Sequence, residues 1–120
     1  MLPLSTAVMV NGTVYLSGIP PLHSGNLFAP DDPAAQAECV IKRMKEALQA
    51  FGMGLEQLAY VQVYLRSIAD FQAVNGVYEK LMPMPYPARK VIITDFVLEK
   101  ARVEMSGIAS LSPKNAITID

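Results

Sequence analysis

YPARKVIITDFVLEKARVEM, Tyr86 to Met105, sets an arginine at the mouth of one apolar strand and a glutamate inside the next. Pro83, Pro85 and Pro87 lead into it and forbid any preceding helix from running on. Lys90 to Thr94, KVIIT, reads as a strand, because β-branched side chains pack well on a pleated surface. A loop carrying Glu99 and Lys100 follows. Ala101 to Ser110, ARVEMSGIAS, reads as the last strand, and its first half alternates. Ala101, Val103 and Met105 fall on one side; Arg102, Glu104 and Ser106 fall on the other.

Upstream, Asp70 opens a helix with Phe71, Val74, Tyr78 and Leu81 on one stripe. Gly76 weakens it by about 1 kcal/mol relative to alanine. Before that, Leu58 to Leu65, LAYVQVYL, is a strand closed by Arg66-Ser67. A longer helix begins at Asp31-Asp32-Pro33, where Asp32 can cap and Pro33 suits the first helical position. Its apolar residues Ala37, Val40, Ile41, Met44, Leu48 and Phe51 recur at steps of three or four, and Gly52 stops it. The chain opens on a hairpin. Ala7 to Val10 and Thr13 to Leu16 flank Asn11-Gly12, a pair that tolerates the positive φ of a type I′ turn. Ser17-Gly18 ends the second strand, and Ile19 to Pro30 reads as a loop.

The order is therefore β-β-α-β-α-β-β in one α+β domain spanning residues 1–120. Strands separated by amphipathic helices predict one sheet with both helices on a single face. The other face then needs a cover, and another copy of the chain is the available one. A hydrophobic content of 52% with 18% charged residues gives such a face somewhere to come from.

Bulk properties exclude several functions. The net charge of −1, with no basic block, argues against nucleic acid as a partner. One cysteine (Cys39) and one histidine (His23) predict no internal disulfide and no metal site within the chain. No run of about 18 apolar residues predicts a membrane span. The N-terminal MLPLSTAVMV lacks a basic leader, which predicts a cytoplasmic protein.

Arg89 and Glu104 remain as the ionisable residues in strand-like surroundings. They could form a cross-strand ion pair, or stand solvated at a sheet edge. Alternatively, Arg89 grips a carboxylate, since guanidinium is a planar fork of matching geometry that stays charged. Glu104 would then be a general acid or base, provided burial raises its pKa.

The run PARKVIITDFVLEKARVEM resembles the signature of the Rid family of reactive intermediate deaminases, also called the YjgF or liver perchloric-acid-soluble protein family. VNGTVYLSG, ALQAFG and DFQAVNGVYEKL extend the resemblance over nearly the whole chain. It implies a chorismate-mutase-like protomer in a homotrimer, with the sheets forming a central barrel, the helices outside, and three clefts between subunits. It implies hydrolysis of a 2-imino or enamino acid to a 2-keto acid and ammonia, with a small carboxylate substrate and no cofactor. By the same matching, Arg89 and Glu104 are catalytic, and Arg89, Ser17, Val91 and Asn75 bind substrate.

The chain departs from the family's pattern at three positions. Leu4 stands where deaminating members carry a tyrosine, and Ile19 where a glutamine is usual. Val91 stands where a cysteine is frequent, leaving its backbone N–H but no thiol. An apolar wall of this kind suits a larger acid. It also suits a second reading, a non-catalytic trimer that binds small carboxylate metabolites. A ribonuclease, an older label for the family, fits poorly with an acidic chain that has few aromatic residues and no histidine pair.

Overall fold

A computed structural model describes residues 2–111 and 116–120. Strands β1 (Ala7–Val10) and β2 (Thr13–Ile19) form the expected hairpin, with φ of 50° at Asn11 and 78° at Gly12. A short hairpin, β3 (Leu22–His23) and β4 (Asn26–Leu27), lies inside the segment expected to be a loop. It turns at Ser24-Gly25, where both residues have positive φ. Helix α1 (Pro33–Gln49) follows, then β5 (Leu58–Leu65), α2 (Phe71–Leu81), β6 (Ala88–Ile93) and β7 (Val103–Ser110).

The five long strands make one mixed sheet in the order β1-β2-β7-β5-β6. Only the β5–β6 pair is parallel; α2 supplies its crossover. Both helices pack side by side on one face. Asp32 caps α1 by accepting from the Ala35 N–H at 3.1 Å, which satisfies a donor that the first turn would otherwise leave open. Ala37, Val40, Ile41, Met44 and Leu48 are then buried against Val14, Leu16, Val61, Val63, Val103 and Met105 of the sheet. Each of the larger of these stabilises the fold by about 1.5–3 kcal/mol. On α2, Val74 and Tyr78 are buried, while Leu81, expected on the same stripe, is exposed at the helix end.

Strand boundaries differ from the sequence reading at β2, β6 and β7, the last beginning at Val103 rather than Ala101. β2 does not stop at Ser17-Gly18. Leu16 stands opposite Gly107 and Ile19 opposite Met105, so β2 carries an extra residue there. This β-bulge lets the strand continue while bending at Ser17-Gly18. β6 starts at Ala88, which places Arg89 within the ladder, opposite Val61.

Gln36 is fully buried, which its polarity did not suggest. Its amide donates to the carbonyls of Ala29 (3.0 Å) and Lys100 (3.1 Å) and accepts from the Arg102 N–H (2.6 Å). It thus meets the requirement that buried polar groups be paired. Beside it, Arg102 donates twice to Asp70 Oδ2, at 2.8 and 2.9 Å. These contacts fix the start of β7 and hence the position of Glu104.

Candidate active site

Strand pairing sorts the candidate residues by face. Side chains of directly paired residues share a face, and successive residues alternate. Arg89 pairs with Val61 and Val91 with Val63, so both point to the helix side. Glu104 pairs with Tyr64, on the opposite side, together with Gln62 and Ser106. Within one chain Arg89 and Glu104 therefore lie on opposite faces of the sheet. A cross-strand ion pair between them, one of the simple possibilities, is excluded by this register.

On the open face, Glu104 shares a cleft of about 610 Å³ with Ser17, Gly18, Tyr64 and the loop Thr94 to Leu98. The carboxyl rests directly over Gly18; a Cβ there would overlap Glu104 Oε1. Glu104 is half-buried, and that burial pushes its pKa above the usual carboxylate range. Desolvation penalises the charged form, which is how a carboxyl becomes competent for proton transfer nearer neutrality. The Ser17 hydroxyl donates to the Ser5 carbonyl and so ties the N-terminal segment to the bulge. That segment brings Leu2 and Leu4 to the cleft, and Ile19 lines it from β2.

Gly18→Ala tests this close approach. The added methyl meets the mobile end of the Glu104 side chain rather than backbone, so the carboxyl must swing aside. We expect turnover to fall about tenfold or more from misplacement alone, with little change in Tm. Undiminished turnover in the variant would mean that the carboxyl position over Gly18 is immaterial.

On the helix face, Arg89 lies against α2. Its Nη1 donates to Asn75 Oδ1 at 2.7 Å. Its guanidinium stands 4.8 Å from the Tyr78 ring centroid and 5.9 Å from that of Phe71. Stacking on aromatic faces orients a guanidinium and leaves in-plane donors for an anion. A shallow pocket of about 210 Å³ opens there, lined by Asn75, Tyr78, Glu79, Tyr86, Pro87 and Arg89, so one carboxylate shares it with the guanidinium. The Tyr78 hydroxyl is buried without a partner among the described residues. Burial pushes its pKa up to about 12, against the pull of Arg89, so the phenol stays neutral.

The structure thus brings Ser17 together with Glu104, and Asn75 together with Arg89. Val91 sits two residues beyond Arg89, with its side chain packed against the core. Sequence reading missed the aromatic platform under Arg89, although Phe71, Asn75 and Tyr78 are spaced as one helical stripe. It also missed the Thr94–Leu98 wall, since a loop gives no periodic signal. Among the described residues, no group of three or more His, Cys, Asp or Glu is placed to hold a metal ion. No described helix is long and apolar enough to cross a membrane.

A family model described as "Endoribonuclease L-PSP" matches residues 1–111. The chain belongs to this family, the Rid or YjgF family. Among its curated Rid relatives is the Reactive Intermediate Deaminase A, chloroplastic, of Arabidopsis thaliana. It is 34% identical over 91% of this chain, and the match spans only 59% of that protein's length. The 3-aminoacrylate deaminase RutC of Acinetobacter baylyi is 32% identical over 89% of this chain and 86% of its own. A RidA crystal structure from the Antarctic bacterium Psychrobacter sp. superposes with a TM-score of 0.85 at 30% identity, covering 91% of this chain and 89% of that one. The Rid fold, two helices on one face of a mixed sheet, is therefore the fold of this chain.

Proposed function

We propose that this protein hydrolyses reactive 2-imino or enamino acids to 2-keto acids and ammonia, in clefts completed between copies of the chain in a homotrimer. The observation that carries the reading is the Glu104 carboxyl, half-buried over Gly18 in an open cleft and raised in pKa by that burial. The deaminase names of two relatives support the reaction class.

The chemistry balances without a cofactor. Arg89 fixes the substrate carboxylate and withdraws charge from the adjacent imine carbon. Ionised Glu104 takes a proton from water as the water oxygen adds to that carbon, and passes it to the imine nitrogen, giving a neutral carbinolamine. Glu104 then takes the carbinol O–H proton and delivers it to the amino nitrogen as the C–N bond breaks, leaving the ketone, ammonia and ionised Glu104. The net change is imino acid plus water to keto acid plus ammonia. Free imines hydrolyse unaided, so orientation and one proton relay suffice.

Arg89 and Glu104 lie on opposite faces of one sheet, and a second copy would bring another chain's Arg89 to this chain's Glu104. The open face supports such an assembly. Val8, Val10 and Tyr15 are about half exposed on it, and Tyr64 and Ser106 both donate to Gln62 Oε1 there. A cytoplasmic site of action belongs to the same reading, although the Arabidopsis relative is named chloroplastic and a Schizosaccharomyces pombe relative, 36% identical over 75% of this chain, mitochondrial.

A semicarbazide competition tests the function. A pyridoxal-phosphate dehydratase makes 2-imino acid from serine or threonine, semicarbazide traps it, and added protein should reduce the trapped product. No reduction at any protein concentration, with imines both small and large, would sink the deaminase reading. The second reading, a trimer that only binds carboxylates, is favoured by the apolar Leu4 and Ile19 in the cleft wall. It would then stand if keto acids bound without turnover.

A further inference from the structure

The wall of the Glu104 cleft is mostly apolar, with Leu4, Ile19 and Leu22 from the first part of the chain and Phe96, Val97 and Leu98 from the second, and with Arg43 and Asp95 as charged members besides Glu104. The second group belongs to the β6–β7 loop, which has no regular structure of its own to hold it. Arg66, the first residue after β5, supplies that hold. Its Nε donates to the Ala101 carbonyl at 2.7 Å and its Nη2 to the Leu98 carbonyl at 2.8 Å. The same guanidinium stands 5.2 Å from the Phe96 ring centroid. The loop ends are tied as well, by Thr94 N–H to Leu65 O at 2.9 Å and by Arg66 N–H to Arg102 O at 3.1 Å.

We infer that Arg66 is a positioning residue that clamps this loop into an apolar wall, and that the wall selects imino acids bearing a bulky aliphatic side chain over those bearing a methyl group. The inference rests on the proposed deaminase reading and deepens it. Three features argue for it together. The cleft holds far more volume than an alanine-sized imine fills, and most of its lining is hydrocarbon, Arg43 and Asp95 aside. A hydrocarbon wall discriminates only if its side chains are held in place, because a loose loop gives no fixed shape to fill. A forked guanidinium spanning two carbonyls and an aromatic ring is the kind of rigid tie that a lysine cannot reproduce. Arg66 itself does not line the cleft, so it acts through Phe96, Val97 and Leu98.

The test compares two imines in the semicarbazide competition. One carries a methyl group and is made from serine by the dehydratase; the other carries an isobutyl group and is made from leucine by a flavin amino-acid oxidase. The wild type should favour the isobutyl imine in kcat/KM by about tenfold or more, the scale of discrimination a few methylenes give. Arg66→Ala should erase most of that preference through a higher KM for the isobutyl imine, with the methyl imine changed less than about twofold. Arg66→Lys should keep part of the preference. Phe96→Ala, which leaves both hydrogen bonds possible, should lose preference in the same direction and serves if Arg66→Ala does not fold. Equal use of both imines by the wild type, or variants that lose both activities in proportion, would overturn the inference while leaving the deaminase reading intact. Turnover of neither imine by the wild type would overturn both.

Discussion

Glu104→Gln loses turnover of 2-imino acids by about 10²–10⁴-fold, the usual contribution of a positioned general acid–base, roughly 3–5 kcal/mol. The glutamine amide keeps the shape that fits over Gly18 and cannot accept the proton from water. The fold survives, because the substitution removes a partly desolvated carboxyl rather than a partnered one. The pH dependence gives a second signature. Rate should rise with pH as Glu104 ionises, and the limb should sit above the ordinary glutamate range because burial raises its pKa. In the variant that limb disappears. The sign for stability is opposite. The folded state holds the proton more tightly than the unfolded state, so Glu104 costs nothing below the unfolded pKa. It then subtracts stability as pH rises from the unfolded to the folded value. Glu104→Gln should therefore be at least as stable as the wild type above that window. A variant with wild-type turnover would remove Glu104 from the mechanism.

Arg89→Ala should lower kcat/KM by about 10²-fold or more, since it removes two charge-assisted hydrogen bonds to a carboxylate, each worth ~1.5–3 kcal/mol. The protein should still fold, because Arg89 is exposed and its partners Asn75 and Tyr78 sit on a helix anchored elsewhere. Loss of folding in Arg89→Ala would make the arginine structural. Face geometry allows a sharper experiment. If each site takes Arg89 from one chain and Glu104 from another, Arg89→Ala and Glu104→Gln are each inactive alone yet complement when co-expressed. Random mixing in a ring would leave about a quarter of the sites with both native residues. Activity near that level in the mixture would support a shared site, and none would mean that the two residues do not act in one site.

Local chemistry made much of this fold legible. Asn11-Gly12, Asp32-Pro33 and the run Leu58 to Leu65 each specify their element through φ, capping or β-branching, and each stands where its residues require. Non-local pairing was not legible in the same way. Ser17-Gly18 reads as a stop, and only β7 on the far side of it turns that stop into a bulge. Gln36 carries no burial signal in the sequence; it becomes a core residue only because Ala29, Lys100 and Arg102 converge on it. Arg89 and Glu104 were found because charge inside apolar strands is conspicuous. Their faces were hidden, since the loop between β6 and β7 breaks the alternation that would have related them.

The sheet order carries one more consequence. β7 follows the other described elements along the chain, yet it lies between β2 and β5 in the sheet. During synthesis the hairpin β1-β2 and the pair β5-β6 emerge first, with no strand to join them. The ladder closes only when the final segment inserts, bringing its non-local pairings all at once, which makes for late and cooperative assembly. Glu104 rides on that same strand. A nascent chain therefore carries the proposed proton relay into place in the very step that completes the sheet.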